Sequence, residues 1–349
     1  MEKECIRRRS KRFIFFLITL CILFFWIISS QINNYLKTQQ FNENLVREAV
    51  AKQLNKNPED INLSDYADVK ELDLSKSEIT NLKPLEKLIN LQSLDLNFIQ
   101  PTNLKSLAKL TKLQELNLIG IGSIYEEKSR WVTILEKSHL INPSRKNIID
   151  ITPIKNLTNL QSLRLDDSCV KNLKPLKLLT NLQHLTLMHL NWLQKDELDI
   201  KPLASLINLE SLDLRITIVS DITPLSNLTK LRTLMLFNTK VVDIKPLANL
   251  SNLDYLSIDY TQVHNIEPLS GLTNLYLLDL KHTKVNDISP LINLTNLQSL
   301  QLDNTPVSSL KPLNNLTKLK TLEIKNCINI TDEQVQNLQK AIQDVNIVR

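Results

Sequence analysis

Residues 209–318 consist of five consecutive copies of one 22-residue pattern, and this feature constrains the fold more strongly than any other. The shared pattern is LxxLxLxxTxVxDIxPLxxLTN, in which x is any residue. The copies begin at Leu209, Leu231, Leu253, Leu275 and Leu297. A fixed period of about 20 to 29 residues with this leucine spacing indicates a stack of similar units rather than one globular core.

Each copy predicts a short strand followed by a turn. Within LxxLxL the alternation is that of a strand with one buried face, so Leu256 and Ile258 point inward while Tyr255, Ser257 and Asp259 point outward. Because a single copy cannot bury its own leucines, neighbouring copies must stack around a continuous core. The sequence therefore predicts an α/β fold. It is a curved leucine-rich repeat solenoid with a parallel sheet on its concave face, short helical or 3₁₀ turns on its convex face, and helical caps at both ends.

Two further positions of the pattern have a structural explanation. A hydroxyl after the strand can satisfy buried turn backbone, whose polar groups are costly to leave unbonded. A proline suits the first turn of a short helix, where its missing N–H is not needed. The hydroxyl column comprises Thr217, Thr239, Thr261, Thr283 and Thr305, and the proline column comprises Pro224, Pro246, Pro268, Pro290 and Pro312.

Charge is unevenly placed along the chain. The formal net charge is +5, and residues 1–12 hold six basic residues against two acidic ones, so the remaining 337 residues carry only +1. A nucleic-acid partner therefore has no support from net charge. With three glycines in 349 residues, a glycine-rich nucleotide loop is not expected. No pattern for a catalytic, cofactor or metal site is present, and we predict a protein that is not an enzyme and binds neither a cofactor nor a small-molecule substrate.

Cysteine and histidine positions also give no site. Cys169 and Cys327 lie seven repeats apart, too far for a disulfide within one solenoid. His184 and His189 bracket one strand end, but a zinc site usually needs four convergent ligands. We expect neither a disulfide nor a bound metal.

The N-terminal region predicts a membrane segment. Residues 1–12 form a basic cytoplasmic tail, and 13–30 are an apolar run that fits a signal-anchor helix or, alternatively, a cleaved signal peptide. By the distribution of basic residues, the N-terminus lies in the cytoplasm. The repeats then lie outside it in a single-pass protein of the bacterial envelope, periplasmic or at the cell surface, or are secreted after cleavage. Residues 31–40 are interpreted as a polar tether, and 41–68 as an N-terminal cap.

The repeats are predicted over 69–326, with insertions at about 120–147 and 190–196, and 327–349 as a C-terminal cap helix. The insertions fall at one place in the pattern, between the strand end and the proline turn, so both should leave the same edge of the solenoid. The repeats begin at Val69, Leu91, Leu113, Leu160, Leu182, Leu209, Leu231, Leu253, Leu275, Leu297 and Leu319.

The segments LTNLQSL, NDISPLINLTN and SDITPLSNLTK resemble the 22-residue repeats of bacterial internalins and related surface or exported leucine-rich proteins. The resemblance covers about residues 41–349. It implies the solenoid fold and protein–protein binding through the concave face. Thr, Ser or Cys largely replaces the turn Asn of that family. No immunoglobulin-like domain or sorting motif follows the repeats, so an adhesin or invasin role is not implied.

The outward strand positions predict a binding surface where the copies differ. An apolar patch on three adjacent strands lies within a charged rim, as a protein interface requires. Scattered surface apolar residues are the alternative explanation. The predicted patch comprises Met235, Phe237, Tyr255 and Leu277, and the predicted rim comprises Asp213, Arg215, Asp259 and Lys281.

Two tryptophans form a second candidate. Trp131 and Trp192 each lie in an insertion, so they either form a joint apolar lip or anchor their own loops on the solenoid. The sequence thus predicts a non-enzymatic scaffold that presents a concave surface to a protein ligand. The alternatives are a structural spacer of an envelope complex and a secreted effector.

Overall fold

A computed structural model describes residues 2–122, 148–170, 172–190 and 197–349, and within 2–22 it describes only the side chains of Thr19 and Leu20. Twelve parallel strands in these ranges form one open sheet, in which each strand pairs with the next along the chain. The strands are β1 Glu71–Asp73, β2 Ser93–Asp95, β3 Glu115–Asn117, β4 Ser162–Arg164, β5 His184–Thr186, β6 Ser211–Asp213, β7 Thr233–Met235, β8 Tyr255–Ser257, β9 Leu277–Asp279, β10 Ser299–Gln301, β11 Thr321–Glu323 and β12 Asn346–Val348.

The strand register follows the sequence period. Leu212, Leu234 and Leu256 are aligned partners on β6, β7 and β8, and each of these side chains is fully buried. Across the large insertion, β3 still pairs directly with β4, with Leu116 opposite Leu163. Fully burying one leucine contributes about 1.5 to 3 kcal/mol, so the stacked columns supply the main driving force for the fold.

Short 3₁₀ turns form the side opposite the sheet. In most of them a proline occupies the first turn, as the sequence predicts. The turns are Lys83–Lys87, Lys105–Lys109, Thr152–Asn156, Lys174–Leu178, Lys201–Ser205, Thr223–Leu225, Lys245–Leu247, Glu267–Leu269, Ser289–Asn293 and Lys311–Leu313.

The hydroxyl column bonds the turn backbone as expected. Thr261 is fully buried, and its Oγ1 donates to the carbonyl oxygen of Ile258 at 2.6 Å. The same bond recurs in the other four copies. Ser168 performs this role in the fourth repeat by donating to the carbonyl oxygen of Leu118 at 2.8 Å. Cys169 and Cys327 are buried free thiols.

A second column places one residue per repeat in the left-handed backbone region, directly before the hydroxyl position. Ile216 has φ 57° and Asn238 has φ 53°. The backbone N–H of each donates to the next repeat, from Ile216 to the carbonyl oxygen of Phe237 at 2.8 Å and from Asn238 to that of Asp259 at 3.0 Å. Each repeat therefore adopts an unfavourable backbone conformation at this position, and the hydrogen bond to the neighbouring repeat offsets its cost.

Helices cover both ends of the sheet. Helix α1 spans Glu2–Leu54, and its C-terminal part buries Val46 and Val50 against the first repeat. Helix α2 spans Asp65–Asp68. At the other end α3 spans Asp332–Ala341, with Gln334 N–H donating to the Thr331 side chain as its N-cap. The predicted solenoid with its parallel sheet, 3₁₀ turns and terminal helices is confirmed.

The two ends also differ from their sequence interpretation. Residues 31–40, which the sequence assigns to a tether, continue α1, supported by the bond from Thr38 Oγ1 to the carbonyl oxygen of Asn34. After α3 the chain adds β12, which the cap-helix prediction missed. Ile347 of β12 pairs with Leu322 and closes the apolar edge of β11. The strand has three residues and lacks the leucine pattern of the other copies, so the repeat period does not identify it.

The predicted membrane segment at 13–30 requires a correction. Among the residues that the structure describes, no helix is long and apolar enough to cross a membrane. Much of the described length of α1 is polar, from Ser29 through Gln40 and again toward Leu54. The side chains of 13–18, 21 and 22 lie outside the described part. The localisation derived from this segment, with a cytoplasmic N-terminus and repeats that are extracytoplasmic or secreted, is therefore wrong.

We predict that Ile216→Asn raises the free energy of unfolding by about 1 kcal/mol. A β-branched residue in the left-handed region costs about 1 to 2 kcal/mol, whereas Asn tolerates it. Urea unfolding followed by circular dichroism measures the change. Asn238→Ile is the matched control and should lower stability by a similar amount. A loss of stability in Ile216→Asn would show that the packing of this half-buried side chain outweighs backbone strain.

Candidate functional site

The outward side of the sheet is the candidate site, and we call it the sheet face. It comprises the first and third residues of β1 to β11, with the residue two positions beyond each strand. These positions alternate with the buried leucines, so all point away from the core. Neighbouring side chains lie roughly 4.7 to 4.9 Å apart across the sheet.

The predicted apolar patch comes together on three adjacent strands. Tyr255 of β8 is the register partner of Leu277 of β9, and Met235 of β7 lies between Asp213 and Ser257. All three apolar side chains are half-buried. The patch is therefore contiguous, but more of its area is covered by neighbours than the sequence suggests.

Phe237 lies at the end of this patch and joins it to the edge of the sheet. Its ring meets Tyr260 edge to face, with centroids 5.3 Å apart. Tyr260 in turn stacks on His282 at 4.0 Å. The series continues through Asn304, whose Nδ2 lies 3.1 Å from Nε2 of His282, to Asn326. Four of these five residues occupy the left-handed column. The repeat pattern in the sequence gave no reason to expect that their side chains contact one another.

The predicted rim consists of ion pairs that the sheet holds in place. Two nitrogens of the Arg215 side chain donate hydrogen bonds to Asp213, Nη2 to Oδ2 at 2.6 Å and Nε to Oδ1 at 3.0 Å. Lys281 Nζ lies 3.2 Å from Oδ2 of Asp279, an acid that is not part of the predicted rim. Both acids are less than 9% exposed. These pairs fix charged groups on either side of the apolar patch.

Two carboxylates beside the apolar patch have raised pKa values. Burial, and after it the charge of Asp259, raises the pKa of Asp279 to about 6. Burial also raises the pKa of Asp259, although the hydroxyl of Ser257 donates to its Oδ1 at 2.5 Å. Tyr255 has a raised pKa for the same reasons, burial first and then the two nearby carboxylates. Negative charge is thus concentrated around the patch.

Asp166 is a site residue that sequence reasoning missed. It is 5% exposed and accepts hydrogen bonds from Thr186 Oγ1 at 2.8 Å and from Met188 N–H at 2.9 Å. Burial raises its pKa despite these bonds. The strand alternation could have identified this residue. Asp166 occupies, in the less regular fourth repeat, the position that Arg215 and Asp259 occupy in later repeats.

A polar groove of about 500 Å³ follows the N-terminal edge of the sheet from β2 to β6. Its asparagines have a structural role, since Asn159 Nδ2 donates to the carbonyl oxygen of Thr111 and Asn181 Nδ2 to that of Thr158. The lining residues are Gln92, Lys112, Gln114, Asn159, Gln161, Asn181, Gln183 and Asn208. The groove borders the sheet face. Its lining consists of hydrogen-bonding side chains and contains no aromatic ring.

The remaining candidates give no site. His184 is exposed on the sheet face, whereas His189 is buried with Nδ1 2.7 Å from Oδ1 of Asp167. Within the described ranges no group of side chains could hold a metal ion. Trp131 and Trp192 lie outside the described residues, so their joint lip stays a prediction. The isolated bridge between Ile149 and Val170 shows where the chain rejoins the stack after the large insertion.

Comparison with known proteins agrees with this geometry. The family model described as Leucine Rich repeats (2 copies) matches residues 207–249. The structure of the internalin InlF from Listeria monocytogenes is 25% identical, with a TM-score of 0.57, over 87% of this chain and 94% of that chain. The chain thus carries leucine-rich repeats and is similar to internalins. This fold is a non-enzymatic binding scaffold, in agreement with the expectation that the chain is not an enzyme.

Two other solved structures share the fold at lower identity. The functional domain of InlJ from Listeria monocytogenes is 20% identical, with a TM-score of 0.64, over 84% of this chain and 62% of that chain. The ectodomain of the receptor kinase GASSHO1/SCHENGEN3 from Arabidopsis thaliana is 18% identical, with a TM-score of 0.53, over 76% of this chain and 33% of that chain. It was solved with CASPARIAN STRIP INTEGRITY FACTOR 2. No curated protein matches the sequence.

We predict that Asp279→Asn stabilises the fold by about 2 kcal/mol near neutral pH. The folded carboxyl group holds its proton up to about pH 6, whereas its usual pKa is 3.8. The cost of ionising it therefore accumulates between these two values and is complete above pH 6, at about 1.4 kcal/mol per pKa unit before relaxation.

Unfolding of both proteins at a series of pH values measures this effect. The advantage of Asp279→Asn should be largest above about pH 7 and should disappear near pH 4. Asp221→Asn changes the same charge at an exposed turn, where hydrogen bonds from Thr223 lower the pKa of Asp221. This control should lose stability at neutral pH. A pH-independent gain in Asp279→Asn would contradict the assignment.

Proposed function

We propose that this protein is a non-enzymatic scaffold that binds a protein ligand across the sheet face, with the patch around Tyr255 and Leu277 as the anchor. One observation carries the proposal: two large apolar side chains are register partners on adjacent strands, and rigid ion pairs flank them. Central apolar anchors enclosed by polar groups that exclude water are typical of binding hot spots.

The rigidity of the surface supports this proposal. The patch lies on strands whose inward leucines are fully buried, so its side chains are presented at fixed spacing. Arg215 is held by three hydrogen bonds from its side chain to Asp213. A ligand that binds such a surface loses little additional conformational entropy on the protein side. A pre-organised face thus favours binding over a purely spacing role.

The geometry also sets the limits of the contact surface. Phe237 extends the patch toward Tyr260, which is 47% exposed at the sheet edge. On the opposite edge Tyr276 is 43% exposed and lines a second, separate groove with Arg232 and Asp254, outside the sheet face. Tyr260 therefore lies beside the proposed site, whereas Tyr276 is a similarly exposed tyrosine outside it and serves as a matched control.

We predict that Phe237→Ala and Tyr255→Ala each weaken ligand binding by about 2 kcal/mol, or roughly 30-fold in Kd. Photocrosslinking from a benzophenone side chain at Thr233, a half-buried sheet-face position, should capture the ligand from the native host. Titration of the captured ligand against each variant then measures its affinity.

Tyr276→Ala is the control and should leave affinity unchanged. Circular dichroism of each variant separates a loss of binding from a loss of fold. Unchanged affinity in both Phe237→Ala and Tyr255→Ala would remove the patch from the interface. Failure to capture any ligand, together with normal behaviour of all sheet-face variants in the host, would instead support the structural spacer.

A further inference from the structure

The sheet face carries a charge opposite to that of the rest of the chain. It holds ten carboxylates and four basic side chains, a net charge of −6, whereas the whole chain carries +5. The carboxylates are Glu71, Asp73, Asp95, Glu115, Asp166, Asp213, Asp259, Asp279, Asp303 and Glu323. The basic residues are Arg164, Arg215, Lys281 and Lys325.

The back of the solenoid has the reverse charge. The ten 3₁₀ turns of the repeats contain ten lysines and two glutamates, a net charge of +8. In the first five turns the lysines are exposed, for example Lys83, Lys105 and Lys174. The net charge of the chain therefore conceals a strong separation between two surfaces. An electrostatic field of this kind selects which partner reaches which side.

Next to the apolar patch the negative charge is only partly compensated. Lys281 lies in one column between Asp259 and Asp303 on neighbouring strands, and its Nζ pairs with Asp279 at 3.2 Å. Asp259 and Asp303 take part in no ion pair within the described ranges. Asp303 accepts a hydrogen bond from the backbone N–H of Lys325 at 2.6 Å, and Asp259 accepts one from Ser257. The basic sheet-face neighbours of these three carboxylates are Lys281 and, beside Asp303, Lys325, and only Asp279 forms an ion pair.

Resting on the proposed function, we infer that the ligand segment bound to the sheet face is a basic one, rich in lysine or arginine. Cationic heads reach Asp259 and Asp303 on either side of Lys281, while their aliphatic stems cover Tyr255 and Leu277. Long basic side chains bind in this way because their stems are apolar and their heads charged. The separated charges also steer such a segment to the sheet face and away from the lysine-rich back.

The test uses the full chain and two labelled synthetic peptides of equal length, decalysine and decaglutamate, in fluorescence anisotropy at about 0.05 M salt. Screening weakens surface electrostatics as salt rises, so decalysine affinity should fall steeply toward about 0.3 M. The triple variant Asp259→Asn/Asp279→Asn/Asp303→Asn should weaken decalysine binding by about tenfold or more. Decaglutamate binds the back and should keep its affinity for this variant.

The matched control is Asp221→Asn/Asp243→Asn/Asp287→Asn. It removes the same number of charges from exposed residues whose side chains accept the backbone N–H of Thr223, Lys245 and Ser289, outside the sheet face. Asn retains an acceptor at these positions, so folding should be preserved. This control should leave decalysine affinity within about twofold. Equal weakening by both triple variants, or no decalysine binding, overturns the inference.

Failure of this inference and failure of the proposed function have different signatures. A captured protein ligand that needs Phe237 and Tyr255, but is unaffected by the sheet-face triple variant, leaves the binding site in place and shows that its ligand is not basic. Loss of decalysine binding in the sheet-face triple variant, with no effect of Phe237→Ala or Tyr255→Ala on any ligand, shows a basic-selective face that does not use the apolar anchor.

Discussion

The structure depends on one constraint: no repeat can cover its own leucines, so each copy is stable only in register with the next. The aligned column Leu212, Leu234 and Leu256 is the direct expression of this constraint. The backbone hydrogen bonds of the left-handed column run from one repeat to the next along the same stacking direction. Apolar burial and backbone bonding therefore select the same register, and a slip would lose both.

This shared register is also why the fold was readable from the sequence. Strand positions, 3₁₀ turns and the hydroxyl column all repeat with the period, so each was predicted several times over. Strand β12 and the helical state of residues 31–40 occur once and have no period to identify them. The membrane segment was wrong for a related reason: it was inferred from the length of one apolar run, whereas no helix among the described residues is long and apolar enough to cross a membrane.

The site was only partly readable, because function depends on positions at which the copies differ. Alternation placed Tyr255, Leu277 and Met235 on one surface correctly. It could not show that Arg215 closes onto Asp213, or that Tyr260 and His282 stack, since these contacts depend on rotamers and on the left-handed backbone. Net charge was misleading in a different way. The sum over the chain conceals that the sheet face is acidic and the opposite side of the solenoid is basic. This separation is visible only when residues are sorted by the direction in which their side chains point.

The left-handed column has a consequence for how this scaffold tolerates change. Both insertions leave the stack just after a left-handed residue, following Gly120 and His189, and the chain resumes the same register beyond them. Each repeat has by then completed its strand and its bond to the neighbouring copy, so extra residues interrupt neither. Segments of very different length can therefore be exchanged at the position after this turn, while the spacing of the strands in the sheet stays constant. A surface built this way can acquire new recognition loops without redesign of its core.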